Sequence, residues 1–106
     1  MKYELTKNFI EHNGKKLYQI KALKNFGYVR AGDLGGYIEK ESNLSQEGYC
    51  WVYDEAKVYG YAKVYDNAEV SGNAEVYGNA YVRGYAQVSG NYKIGGFSVT
   101  NIGGKL

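Results

Sequence analysis

Apolar positions recur along this chain on a beat of six. Val52, Val58, Val64, Val70, Val76, Val82, Val88 and Ile94 follow one another at that spacing without a slip. Two residues ahead of them stand Cys50, Ala56, Ala62, Ala68, Ala74, Ala80 and Ala86, a series that Tyr92 ends. Two residues behind come Asp54, Gly60, Asp66, Gly72, Gly78, Gly84, Gly90 and Gly96. A period of six cannot keep one face of a helix with about 3.6 residues per turn, and each interior glycine would cost such a helix about 1 kcal/mol. The pattern predicts short strands. In each small-x-Val unit the first and third side chains point inward and the middle one outward. Gly or Asp, with the Asn, Tyr or Glu after it, forms a sharp corner. One such unit cannot bury its own apolar side, so successive coils must stack.

Residues 1–43 leave the beat. Asn13-Gly14 is a strong hairpin signal, with Phe9-Ile10 before it and alternating Tyr18, Ile20 and Ala22 after it. Residues 2–24 therefore read as a small antiparallel unit, suited to cap a solenoid whose terminal coil would otherwise expose a bare strand edge. The predicted organisation is a β cap and lead-in over 1–43, coils over 44–97 and a tail or second cap over 98–106. Leu44 and Ser98 fall in the small-residue slot, and Phe97, Val99 and Ile102 keep an apolar alternation without the beat.

Composition narrows the class. The chain has 106 residues, enough for one domain, with 15 glycines, no proline and 13 tyrosines. Val, Ala and Tyr carry the apolar fraction, which favours strands. Net charge is +2, with 8 Lys/Arg against 6 Asp/Glu in residues 1–49 and 5 against 5 in 50–106. That excess is too small for direct nucleic-acid binding through phosphates. No apolar run approaches the ~20 residues of a membrane span, and no signal-peptide core stands at the N-terminus. Cys50 is the only cysteine, so no intrachain disulfide can form; a cytoplasmic setting in a bacterial host is expected.

The eight hexads from Cys50 to Phe97 resemble the hexapeptide-repeat family. That resemblance implies a left-handed parallel β-helix with three hexads per coil. The stretch "VRAGDLGGYIEKESNLSQEGYCWVYDEA" (Val29–Ala56) resembles the lead-in of YdcK-like proteins. This implies a phage or prophage origin and, through that context, an inhibitor of a host defence system such as a CRISPR nuclease. The expected fold is thus all-β: a short left-handed parallel β-helix with a small N-terminal β cap.

Candidate chemistry is sparse. "AGDLGG" (Ala31–Gly36) lacks the spacing of the common phosphate-binding loops and reads as a structural turn, which the resemblance supports. Many hexapeptide-repeat proteins are acyltransferases in which a histidine acts as general base beside a CoA thioester. His12 is the only histidine here, and it lies outside the repeats with no carboxylate partner near in sequence. The sequence therefore points to a chain that is not an enzyme, with no catalytic residue and His12 dispensable. One His and one Cys predict no metal site, and no cofactor is expected. Cys50 reads as a small core residue.

The outward positions remain. With three hexads per coil, residues 18 apart stack about 4.8 Å from one another. Lys57, Glu75 and Lys93 then share a column, Tyr59 lies against Tyr77, Tyr65 against Arg83, and Lys63 against Tyr81. Stacked tyrosines stabilise a sheet face. Tyr, Trp and Arg are also the residues that carry interface energy. The expected function is binding of a protein partner through Trp51, Tyr53, Tyr59, Tyr65, Tyr77, Tyr81, Arg83 and Tyr85, with a homo-oligomer left open. The alternatives are a self-assembling structural protein and a trimeric acyltransferase or small-ligand binder.

Overall fold

The computed structural model describes residues 1–97, 99 and 100; the expectations placed on Ser98, Ile102 and the rest of the tail lie outside the described residues. Asn13 and Gly14 both take left-handed backbone, with φ of 53° and 79°, as a two-residue hairpin turn requires. They join β1 (Tyr3–His12) to β2 (Lys15–Ala22). Strand β2 pairs antiparallel with β3 (Leu34–Ile38), and a 3-10 turn follows at Glu41–Asn43.

Nine two-residue strands then run to the end of the described chain. They are β4 (Trp51–Val52), β5 (Lys57–Val58), β6 (Lys63–Val64), β7 (Glu69–Val70), β8 (Glu75–Val76), β9 (Tyr81–Val82), β10 (Gln87–Val88), β11 (Lys93–Ile94) and β12 (Val99–Thr100). Their parallel registers join residues 18 apart: Trp51 with Glu69 and Gln87, Lys57 with Glu75 and Lys93, Lys63 with Tyr81 and Val99. Three hexads therefore close each coil. The faces are β4-β7-β10, β6-β9-β12, and a six-stranded sheet in which β1, β2 and β3 continue into β5, β8 and β11. The chain is a short parallel β-helix whose N-terminal β cap shares a sheet with one of its faces.

The sequence beat has a direct physical cause. Every corner residue from Asp54 to Gly96 in the Gly/Asp slot whose φ is positive lies between 57° and 70°, a region that costs glycine nothing and aspartate little. Asp54 and Asp66 also bind the next coil, their Oδ2 atoms accepting from the amides of Gly72 and Gly84 at 3.0 Å. Inside, the valines from Val52 to Val88 are completely buried, and the alanines of the small slot are buried beside them.

The first coil departs from the sequence reading. Ile38 aligns with Val58, and Leu44 bridges Val64. Both pairs are 20 residues apart, so Leu44 occupies a valine position rather than the small-residue slot, and the stacking starts at β3 instead of residue 44. Two extra residues around Ser45–Tyr49 absorb the slip. They form a loop that grips the N-terminal strand: the amides of Lys2 and Tyr3 donate to Gln46 Oε1 at 2.8 and 3.1 Å.

"AGDLGG" is structural in this fold. Its last two glycines lie in β3, packed against the first coil. A Cβ on Gly35 would stand 2.5 Å from the Val52 carbonyl oxygen, 2.8 Å from Ile20 Cγ1 and 2.9 Å from Trp51 Cζ2. Gly35→Ala is expected to cost about 1–3 kcal/mol through overpacking. The loss would be read as a lower thermal midpoint, accompanied by a red shift of Trp51 emission as the cap lifts. An unchanged midpoint would mean that the cap is not seated on the coil at this point.

Candidate active site

Strand β1 is ten residues long and β3 only five, so the tip of the cap hairpin overhangs the sheet and reaches the outward side chains of β5 and β8. His12 arrives there at the end of β1. Its Nε2 lies 3.0 Å from Oε1 of Glu75, the outward residue of β8. Tyr59, just past β5, donates its hydroxyl to the same carboxylate oxygen at 2.9 Å. Asn13 Nδ2 donates to the Tyr59 hydroxyl at 3.4 Å. The His12 and Tyr59 rings meet edge-on at 5.4 Å, and Tyr59 stacks on Tyr77 at 5.4 Å with an 11° tilt. Lys93 Nζ stands 3.9 Å from the other carboxylate oxygen.

The electrostatics follow from these contacts. Burial by itself would raise the Glu75 pKa. The hydrogen bonds from His12 and Tyr59 and the charges of His12 and Lys93 outweigh it, and the carboxyl lies below its usual range. An ionised Glu75 accepts hydrogen bonds only, so Nε2 of His12 donates to it, and whenever the ring is neutral its lone pair lies on Nδ1. The His12 side chain is 24% exposed. Burial, and then the hydrogen bond to Glu75, push the Tyr59 hydroxyl up to about 12. The arrangement is a histidine oriented by a carboxylate, which suits general-base chemistry.

These shifts set a stability window. The raised Tyr59 value means that its contribution is fully present below pH 10, the ordinary value, and is lost as pH rises through about 12. The lowered Glu75 value means that its contribution holds above 4.5 and is lost as pH falls through the folded value below that. Melting curves should accordingly show wild type losing more stability above pH 10 than Tyr59→Phe does. Parallel alkaline profiles would remove Tyr59 from the balance.

The sequence-predicted surface is divided by the fold. Trp51 is 1% exposed, because Tyr3 and Phe26 of the cap pack edge-on against it at 6.1 and 5.3 Å. Tyr59 is 6% exposed under His12 and Asn13. Neither is available to a partner as the sequence reading placed them. Tyr53, Tyr65 and Tyr77 are half-buried, whereas Tyr81, Arg83 and Tyr85 are exposed. Tyr65 and Tyr81 meet edge-on at 6.2 Å beside a groove of about 580 Å³ lined by Ser42, Leu44, Gln46 and Lys63. No histidine lines that groove; the carboxylate-oriented histidine lies elsewhere, at His12. Among the described residues, no three His, Cys, Asp or Glu side chains converge to hold a metal ion. None of their helices is long and apolar enough to cross a membrane.

Glu75 escaped the sequence reading as a partner for His12 because 63 residues separate them. One signal was present: Glu75 is the only carboxylate in the Lys57–Glu75–Lys93 column, with a lysine on either side of it in the stack.

Fold and site together define the class, a short parallel β-helix of hexapeptide repeats carrying a carboxylate-oriented histidine. No family model matches the chain. A 39-residue stretch is 51% identical to the uncharacterized acetyltransferase YdcK of Escherichia coli strain K12, covering 37% of this chain and 12% of that protein. The chain thus spans a small fraction of the curated relative it matches. This similarity overturns the expectation that the chain is no enzyme, since the relative carries an acetyltransferase name. The geometry removes the ground for that expectation as well, because His12 does have a carboxylate partner.

Proposed function

We propose that this chain is an acetyl-transfer protein in which His12 acts as general base, oriented by Glu75. The observation that carries the reading is the 3.0 Å contact between His12 Nε2 and Glu75 Oε1. The name of the matched relative supplies the acetyl group. In the step envisaged, Nδ1 of His12 takes the proton from an acceptor hydroxyl or amine as that atom attacks the carbonyl of an acetyl thioester. The carbon–sulfur bond then breaks, and the departing thiolate receives the proton from the imidazolium. Glu75 stabilises the imidazolium between these two events. The test is binding of acetyl-CoA by calorimetry, followed by release of free CoA in the presence of a panel of hydroxyl and amine acceptors. Binding with acceptor-dependent release that His12→Ala abolishes supports the reading. Neither binding nor release across the panel would sink it.

The exposed group Tyr81, Arg83 and Tyr85 favours a second role for the same protein, docking of a protein partner. Tyr85 is 66% exposed and Tyr81 is 38% exposed, and aromatic and arginine side chains carry interface energy. The partner would be the acetyl acceptor itself or a host protein. Replacing Tyr81 and Tyr85 by Thr should weaken such binding by about 2 kcal/mol, or roughly thirtyfold, with the fold intact.

A further inference from the structure

Lys2 is a lysine with 1% exposure, and the acetyl-transfer reading gives it no role. It lies just before β1, where the cap meets the first coil. Its Nζ stands 2.8 Å from the Cys50 carbonyl oxygen, 3.3 Å from the carbonyl oxygens of Glu47 and Gly48, and 3.3 Å from Cys50 Sγ. The Phe26 ring closes the remaining side, 4.9 Å from Nζ. Cys50 is fully buried as well. An amine nitrogen and a sulfur held in this way are at the distance of a near-attack pair, about 3–3.5 Å.

We propose that Lys2 and Cys50 form an oxidation-sensitive modification site, in which a peroxide converts the Cys50 thiol to a sulfenic acid and the Lys2 amine then displaces its oxygen to give a covalent nitrogen–sulfur link. In the first step one peroxide oxygen bonds to sulfur, the O–O bond breaks and one water leaves. In the second, the Nζ lone pair attacks Sγ, the S–O bond breaks, and hydroxide leaves with a proton from nitrogen as a second water. Sulfur is oxidised by two electrons and peroxide is reduced by two. Sulfenic acids condense in this way with thiols and with nearby nitrogen.

The surroundings favour the second step. A neutral amine has two N–H bonds, which the adjacent carbonyls can accept, and this leaves its lone pair for sulfur. Burial, the largest influence on Lys2, lowers its pKa and so favours the neutral amine, against the opposing pull of Cys50. Burial likewise raises the thiol pKa of Cys50, so attack by peroxide is slow and the site responds to sustained rather than brief exposure. The link would tie residue 2 to residue 50 and pin the cap onto the coil.

The experiment treats the full chain with hydrogen peroxide, removes the excess with catalase, unfolds it in iodoacetamide and measures intact mass and a peptide map. The expected product resists alkylation and is lighter than the reduced chain by two hydrogens. Its map contains a peptide joining the segment of Lys2 to the segment of Cys50, and dithiothreitol restores both. Lys2→Arg and Cys50→Ser should yield no linked peptide; the wild-type map decides the matter even where a variant folds poorly. Three results would overturn the proposal: a thiol that stays fully alkylatable, a chain that gains only oxygen, or a link from Cys50 to an amine other than Lys2.

Discussion

Val70→Asp is expected to unfold the coils at ambient temperature. Val70 lies in β7, between Val52 of β4 and Val88 of β10 in the same face, and all three are completely buried. The substitution removes a valine side chain whose burial is worth about 1.5–3 kcal/mol. It also places a carboxylate in an interior whose described buried residues around it are valine and alanine. An unpaired buried charge costs about 3–5 kcal/mol or forces the group to take up a proton. Because each coil is stabilised through its neighbours, a defect in the middle rung weakens the contacts on both sides. The sum rivals the whole stability of a domain of this size, about 5–15 kcal/mol. The measurement is the circular-dichroism melting midpoint. Glu69→Gln, one residue away on the outward side, serves as the control and should move the midpoint little, at under about 1 kcal/mol. A Val70→Asp protein that melts within a few degrees of wild type would show that the valine column is not the core.

The difference between these two neighbouring positions explains how much of the molecule was legible beforehand. Strand periodicity and corner chemistry are local: small-x-Val alternation and a left-handed residue at each bend are written into six consecutive residues. Counting hexads therefore recovered the coils, the inward and outward faces and the 18-residue columns. Leu44 marks where counting ends. Two extra residues after it shift the register, and nothing in a repeat count says which side of the slip a leucine belongs to; only the pairing with Val64 does. Trp51 marks a second boundary. Its outward slot was read correctly, but whether water or the cap lies outside it depends on how Tyr3 and Phe26 fold back, which is a tertiary fact. The candidate site was the least legible part. It joins a hairpin tip to a strand of the second coil, and the hairpin motif that identifies the tip says nothing about the surface it overhangs. His12 was therefore singled out as the only histidine and then discounted for want of the carboxylate that the fold supplies.

If His12 is the base of the proposed acetyl transfer, Glu75→Gln is expected to cost most of that activity, about 10²-fold or more in turnover, while leaving the protein folded. Gln keeps the size of the side chain and can still accept the Tyr59 hydroxyl bond through its carbonyl oxygen. What it lacks is the negative charge that favours the His12 imidazolium, together with the strict preference for a protonated Nε2. An amide can present either its oxygen or its NH₂ to the ring, so the tautomer with its lone pair on Nδ1 is no longer enforced. Base catalysis by a positioned histidine is worth about 10²–10⁴-fold, and the loss should fall on kcat rather than KM because charge develops on the ring only during proton transfer. A double-mutant cycle then separates chemistry from packing. If Glu75 acts through His12, then His12→Ala with Glu75→Gln is no slower than His12→Ala alone, since the carboxylate has no imidazole left to orient. A purely structural Glu75 predicts additive losses and a fall in melting midpoint that tracks activity. Full activity in Glu75→Gln would leave His12 without its orienting group and remove the pair from the mechanism.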